Sequence, residues 1–155
     1  MTHIDETHDA MYALLKISDK IDFFQDLSHE EIEDLISNVK ITSYKYGEII
    51  FRENDTDNDH LFYLLRGKIS INKYMDDTED LTSRITTITE PSLFGEMMTF
   101  TGEPRSATVE SLDNNTLVIE FQLKDFTEDS AISVFYKNII RELSKKINKM
   151  NEQYC

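Results

Sequence analysis

Short runs of β-branched and aromatic residues, each closed by a glycine or a polar turn, fill the middle of this chain. Residues 41–54 read ITSYKYGEIIFREN, with a break at Gly47, and residues 60–75 read HLFYLLRGKISINKYM, with a break at Gly67. SRITTITE, SATVESL and TLVIEFQ follow, and the turn residues 113–115 join the last two. Many short strands at regular spacing predict an antiparallel sheet that closes on itself, as in a barrel or a jelly roll.

Helical patterns precede the strands. Apolar residues over 9–17 are spaced as in a short amphipathic helix, and a second short piece covers residues 21–24. Ser28 followed by Glu31 forms a capping box, which predicts the start of a helix. Its buried stripe is predicted to be Ile32, Leu35, Ile36 and Val39.

A longer helix is predicted from about Ala131. Its apolar residues recur at alternating spacings of four and three, which is the pattern of a seam between two helices: Tyr136, Ile140, Leu143, Ile147, Met150 and Tyr154. A second stripe of Ile132, Phe135 and Ile139 overlaps the start of this seam. Two stripes predict that the first part packs on the domain and the later part meets a partner helix. The alternative is a single helix that folds back on the barrel.

Composition narrows the class of protein. The 155 residues are enough for one domain, and 16 Lys and Arg against 30 Asp and Glu give a net charge of −14, which argues against binding of nucleic acid. The only cysteine is Cys155, so neither a disulfide framework nor a cysteine metal site is predicted. The N-terminal residues are acidic and no apolar run is long enough to span a membrane. These features predict a cytoplasmic protein.

Two acidic stretches resemble functional loops but fit a solvated surface better. Asp55, Asp57 and Asp59 have the opening spacing of a calcium loop, but His60 and Arg66 stand where that loop needs glycine and glutamate. MDDTED, residues 75–80, is predicted to be a solvated hairpin loop. No metal site is therefore predicted.

The segment FGEMMTFTGEPRSATV, residues 94–109, interrupts the strand pattern. Gly95 lets the backbone approach a ligand closely, and the residues after it can open a helical turn whose first N–H groups favour an anion. Arg105 offers a planar charged fork suited to phosphate, and Ser106 adds a hydroxyl. Glu96 would repel phosphate unless it accepts a hydrogen bond from a sugar hydroxyl. The residues alone leave two readings open: a hairpin connection with a surface salt bridge, or a cradle for a ribose phosphate.

This segment resembles the phosphate-binding cassette of the cyclic nucleotide-binding domain family, which includes the catabolite activator proteins and the regulatory subunits of cyclic-AMP-dependent kinase. The matching positions are Phe94, Gly95, Glu96, Pro104, Arg105, Ser106, Ala107 and Thr108. YKYGEIIFREN and HLFYLLRGKISI are similar to two of the family's strands, and FFQDLSHEEIEDLI is similar to its N-terminal helix. The resemblance covers roughly residues 21–151. Asn54 stands where the family often has glycine, and Pro91 and Ser92 replace a frequent Gly-Asp pair.

The resemblance implies a mainly β fold: an antiparallel, jelly-roll-like β-roll with N-terminal helices and a long C-terminal helix. It implies an N-terminal helical segment over residues 1–20, the roll over 21–130 and the C-terminal helix over 131–155. The ligand would be cAMP or cGMP. The implied phosphate and ribose site is Phe94, Gly95, Glu96, Met97, Met98, Arg105, Ser106 and Ala107, in which Glu96 accepts from the ribose hydroxyl and Arg105 pairs with the phosphate. Met150 and Asn151 would contact the base.

The predicted function is a non-enzymatic cyclic nucleotide sensor. It would form a homodimer through the C-terminal helix and act on an unidentified protein effector, without binding DNA or a membrane. The alternative is a degenerate member that mediates protein contacts without ligand. An enzyme of the cupin type needs a His/Glu cluster, which the strands lack, and the four histidines are predicted to be exposed.

Overall fold

The computed structural model describes residues 2–3, 16, 18–74, 82–122 and 129–154. The helix predicted over residues 9–17 lies outside these ranges except for Lys16, and so do the loop predicted over residues 75–80 and Cys155. The described residues divide into two compact units. One contains residues 2–3 and 40–122, and the other contains the described residues up to Val39 and those from 129 onwards.

The first unit is built from two antiparallel sheets. One has the strand order β1-β2-β9-β4-β7 and the other the order β3-β8-β5-β6. The strands are β1 Thr2–His3, β2 Lys40–Tyr44, β3 Ile49–Phe51, β4 Leu61–Arg66, β5 Ile69–Tyr74, β6 Thr82–Ile88, β7 Ser92–Phe94, β8 Thr108–Ser111 and β9 Thr116–Phe121. The antiparallel roll expected from the short strands is confirmed, while β1 and β7 are additions that no strand pattern predicted.

Cross-strand register determines which side chains share a face. Tyr44 lies opposite Thr116, and Lys40 lies opposite Glu120 at the other end of the same strand pair. Because side chains alternate along a strand, Glu120 shares a face with Val118. Apolar side chains fill the centre of that face, in a cluster formed by Tyr44, Phe62, Leu64, Ile69, Phe94, Val109 and Val118. The register therefore puts a lysine and a glutamate beside an apolar core.

A short helix interrupts the strands of the first unit. Helix α2, Glu96–Thr101, follows β7 directly, and residues in the left-handed conformation flank it at both ends: Gly95 with φ 76° and Gly102 with φ 74°. The helical turn predicted after Gly95 is confirmed. It positions the segment that the sequence singled out as a binding site.

The second unit is helical. Two 3-10 turns, Ser18–Lys20 and Asp22–Phe24, precede helix α1, His29–Asn38, and helix α3 covers Asp129–Tyr154. Ser28 Oγ accepts from the N–H of Glu31 at 3.1 Å, and the Glu31 side chain accepts from the N–H of Ser28 at 2.8 Å. The predicted capping box is therefore confirmed.

Helix α3 carries two different apolar stripes. Phe135 is fully buried and meets the ring of Phe23 edge to face, with 4.9 Å between the centroids. Ile139 is also buried, and the Asn138 side chain donates to the carbonyls of Phe23 and Gln25 at 2.9 and 2.8 Å. The other stripe is open, since four of its members are exposed: Tyr136, Ile140, Ile147 and Met150. The two stripes predicted for this helix thus differ in burial.

Candidate functional site

Gly95 joins β7 to α2 at a point where three side chains converge. A Cβ at this position would lie 3.0 Å from Phe62 Cδ2, 3.1 Å from Arg105 Nη1 and 3.3 Å from Phe51 Cε2. Its φ of 76° is also one that L side chains rarely adopt. Glycine is thus required here for two reasons, and its absent side chain lets the guanidinium approach the backbone.

Arg105 is buried, with 4 % of its surface exposed. Its Nη1 donates to the carbonyl of Gly95 at 2.7 Å, and its Nη2 donates to the carbonyls of His60 and Asn58 at 2.9 and 3.2 Å. Nη2 also lies 3.3 Å from Asn58 Oδ1. The guanidinium therefore connects the start of α2 to the loop before β4 through neutral acceptors.

Aromatic rings form the apolar part of this environment. The guanidinium carbon of Arg105 lies 4.4 Å from the ring centroid of Phe51 and 5.5 Å from that of Phe62. Phe62 stacks in turn on Phe94, at 5.4 Å between the centroids. Cations over aromatic faces gain about 0.5–2 kcal/mol, more when they are desolvated. The rings thus hold the guanidinium plane without neutralising its charge.

Backbone hydrogen bonds fix the position from which Arg105 extends. The N–H of Asn54 donates to the carbonyl of Arg105 at 2.8 Å, and the N–H of Arg105 donates to the carbonyl of Asp55 at 3.0 Å. Asn54, at the position where the family often has glycine, adopts φ 71°, a left-handed geometry that asparagine tolerates. The loop after β3 therefore aligns with the segment that carries Arg105.

Burial has a larger effect on the pKa of Arg105 than the charges of neighbouring residues have. Desolvation lowers the pKa of the guanidinium, and the charges of Asp59, Glu120 and Asp55 act in the opposite direction. None of the carboxylates in the described chain forms an ion pair with it. The reading of this segment as a hairpin with a surface salt bridge between Glu96 and Arg105 is therefore wrong, because Arg105 is buried and its partners are carbonyls.

The other predicted site residues lie around the same turn. Glu96 is the first residue of α2 and is half-buried, and Met97 beside it is 57 % exposed. Met98, which also belongs to α2, is buried, and Ser106 is exposed. Phe94 and Ala107 are both buried. The structure therefore brings these cassette residues together in one unit, while their contacts with a ligand remain a prediction.

The two residues predicted to contact the base lie elsewhere. Met150 and Asn151 are exposed residues near the end of α3, in the second unit. Their role stays a prediction.

One polar group near the site was not foreseen from the sequence. His60 Nδ1 lies 2.8 Å from Glu120 Oε1, and only 19 % of the His60 side chain is exposed. The expectation that His60 is exposed is therefore wrong. These residues are 60 positions apart, and only the pairing of β4 with β9 brings them together.

The described parts of the chain contain neither a metal-binding cluster nor a membrane-spanning helix. There, no group of three or more His, Cys, Asp or Glu side chains is arranged to hold a metal ion. No helix among those residues has the length and apolar character needed to cross a membrane.

An antiparallel roll that holds a buried arginine against a glycine-capped turn is the arrangement that the resemblance to a phosphate-binding cassette implied. Comparison with family models then identifies the family: residues 41–128 match the cyclic nucleotide-binding domain. This match covers more than half of the chain, so the protein belongs to that family. No curated protein sequence matches the chain.

Solved structures share the fold. A cyclic nucleotide-binding domain from Methylobacillus flagellatus KT aligns with a TM-score of 0.79 at 20% identity, over 98% of this chain and 86% of that one. The Thermus thermophilus catabolite activator protein aligns with a TM-score of 0.66 at 19% identity, over 86% of this chain and 61% of that one. The regulatory domain of Toxoplasma gondii PKA, solved with cAMP, aligns with a TM-score of 0.66 at 14% identity, over 88% of this chain and 52% of that one. This chain therefore spans about half to three fifths of the latter two.

Proposed function

We propose that this protein is a non-enzymatic sensor that binds a cyclic purine nucleotide, with cAMP favoured over cGMP. The observation that carries this proposal is Arg105, a buried guanidinium held at the glycine-capped start of α2 by uncharged acceptors. An anion there would face a full positive charge in a desolvated setting, where charge-assisted hydrogen bonds are strong. The single cysteine in 155 residues agrees with a cytoplasmic location.

Calorimetry with cAMP and with cGMP tests this proposal. Arg105→Ala should weaken nucleotide binding by about 2–5 kcal/mol, since it leaves a desolvated phosphate without its counter-charge. Arg52→Ala is the matched control, because Arg52 is exposed and lies outside the cassette. Absence of binding by both nucleotides at millimolar concentration, with none copurifying, would refute the sensor. It would favour the ligand-free interaction module, for which Arg105 is a structural residue already bonded to carbonyls.

Glu96 is proposed to accept a hydrogen bond from the ribose 2′-hydroxyl. A site built around a substrate hydroxyl strongly rejects the analogue that lacks it. The 2′-deoxy form of cAMP should therefore bind much more weakly to the wild type, and Glu96→Gln should narrow the difference. Glu103→Gln, an exposed change in the same segment, should leave it unchanged. Equal binding of both nucleotides to the wild type would remove this role.

We further propose a homodimer through α3, whose apolar stripe is solvent-exposed, with Ile140 at 63 % and Ile147 at 58 %. Leu143→Glu with Ile147→Glu should give a folded monomer in sedimentation experiments. Ser144→Glu with Asn148→Glu adds the same charges at the same spacing on exposed positions and should remain a dimer. A monomeric wild type with and without cAMP would exclude the dimer.

An effector protein, rather than DNA, is the proposed target of this sensor. The net charge of −14 would repel a duplex, whose binding depends on basic patches. A mobility shift with a defined sequence preference near physiological salt would contradict this.

A further inference from the structure

His60, the residue directly before β4, contacts two charged residues at once. Its carbonyl accepts from Nη2 of Arg105 at 2.9 Å, and Nδ1 of its ring lies 2.8 Å from Glu120 Oε1. The two side chains of this pair are largely buried, with 19 % of His60 and 16 % of Glu120 exposed. The backbone of His60 therefore holds the guanidinium, while its ring holds a carboxylate.

The charge of Glu120 reaches the guanidinium of Arg105 although the two groups form no ion pair. Both side chains line the same cavity, and the charge of Glu120 acts to raise the pKa of Arg105 against the larger effect of burial. A phosphate bound to Arg105 would therefore be repelled by this carboxylate. The ammonium of Lys40 offsets only part of that repulsion, because it lies 3.9 Å from Glu120 Oε2 and is 44 % exposed.

The protonation state of His60 determines how strongly the carboxylate acts on a ligand. A neutral imidazole can donate Nδ1–H to Glu120 and leaves the negative charge in place, whereas an imidazolium makes the same hydrogen bond and adds a positive charge beside it. Histidine is the side-chain type that ordinarily changes charge between about pH 5 and 8. The other titratable or charged side chains around the pair are of different types: Lys40 and Tyr44 on β2, Asp55, Asp57 and Asp59 in the loop before β4, and Arg105.

We propose that the pair formed by His60 and Glu120 regulates the anion site at Arg105 through the proton on His60. Protonation offsets the charge of Glu120, so an anionic ligand binds more tightly as the pH falls. By reciprocity, a bound anion favours the imidazolium, and binding takes up part of a proton. This inference rests on the proposed function, since the anion that it concerns is the cyclic phosphate of the nucleotide.

Calorimetric titration of the full-length protein with cAMP at about pH 5.5 and about pH 8, near the limits of the histidine range, tests this regulation. The dissociation constant should be about fivefold smaller at the lower pH, which is the lower end of typical couplings between two sites. Repetition between these limits in buffers of different ionisation enthalpy should give different heats, in the direction of proton uptake. A merely structural role of the pair produces no such buffer dependence.

Two variants separate the charge of the pair from its contribution to the fold. His60→Gln removes the titrating group, so it should bind cAMP equally at both pH values. His29→Gln, at an exposed histidine on α1, should keep the wild-type difference. Glu120→Gln removes the repelling charge and should bind cAMP more tightly than the wild type at about pH 8, whereas Glu90→Gln, at an exposed residue, should not.

A measurement without nucleotide distinguishes a failure of this regulation from a failure of the sensor. In NMR spectra of the free protein, the side-chain nitrogen resonances of Arg105 should shift together with the titration of the His60 ring, and this shift should be absent in His60→Gln. Arg105 resonances that do not follow His60 would overturn the coupling, whether or not the protein binds cAMP.

The binding experiments give two further outcomes that would overturn the regulation. One is equal affinity of the wild type for cAMP at both pH values, and the other is weaker binding by Glu120→Gln at the higher pH. Absence of cAMP binding at every pH would instead overturn the proposed function, and the Arg105 resonances would still decide whether His60 is coupled to Arg105.

Discussion

Substitution of the two glycines that flank α2 should have unequal effects, although their backbone conformations are nearly the same. Gly95 has φ 76° and Gly102 has φ 74°, so alanine costs about 1–2 kcal/mol of left-handed strain at either position. Open space surrounds Gly102, with nothing within 4 Å of an added Cβ. Gly102→Ala should therefore lower the free energy of unfolding by that amount alone.

Gly95→Ala adds a steric cost to the same strain. Its Cβ would lie 3.0 Å from Phe62 and 3.1 Å from Arg105 Nη1. Neither neighbour moves freely, because Phe62 stacks on Phe94 and packs against the tilted ring of Phe51, and Nη1 donates to the Gly95 carbonyl. Overpacking of such a site costs about 1–3 kcal/mol. Gly95→Ala should therefore lower the free energy of unfolding by about 2–5 kcal/mol in total. The excess over the loss in Gly102→Ala measures the cost of the steric contacts with Phe62 and Arg105.

Urea unfolding of the wild type and both variants measures these losses by linear extrapolation. Equal slopes against urea concentration are required, since a changed slope would mean that the compared states differ. Equal losses in the two variants would refute the reasoning, because they would show that the rings and the guanidinium move aside without cost. A larger loss in Gly102→Ala would refute it as well.

Three further changes test other parts of the fold. Ser28→Ala removes the capping box of α1 and should cost about 0.5–2 kcal/mol of stability in urea. Asn138→Ala leaves two backbone carbonyls without their donor and should cost about 2 kcal/mol or more, against little change for the exposed Asn148→Ala, as measured by thermal unfolding. Burial, followed by the charge of Glu120, raises the pKa of Tyr44 to about 12 from 10.0. The unfolded chain then loses this proton first, so stability should fall by about 2 kcal/mol as the pH rises from 10 to 12, and a Tyr44→Phe variant that retained this fall would contradict the assignment.

Elements with a strong local signal could be predicted from the sequence. The capping box at Ser28 and the turn after Gly95 each depend on residues within a few positions of one another, and the structure contains both. The long strands β4 and β5 also follow from a local pattern. Strand β7 has three residues and β1 has two, which is too short for a period to be visible. Their pairing is decided by neighbours distant in the sequence.

The environment of Arg105 could not have been predicted in the same way. Its residue type suggested a phosphate partner, but its acceptors in the structure come from backbone carbonyls up to 47 positions away. Backbone carbonyl acceptors cannot be identified from residue types, because every residue has a carbonyl. The pair formed by His60 and Glu120 likewise results from strand pairing rather than from any motif.

The choice of acceptors around Arg105 has a consequence for ligand binding. If carboxylates took the place of these acceptors, they would hold the guanidinium of Arg105 as firmly, but they would neutralise its charge. An incoming anion would then have to displace them. The carbonyls of Gly95, Asn58 and His60 hold Nη1 and Nη2 and leave the net charge in place. A guanidinium has five N–H donors, so further donors remain for an anion. An anion that reaches Arg105 therefore supplies the first full counter-charge in contact with it, and it does so at a side chain whose position is already set.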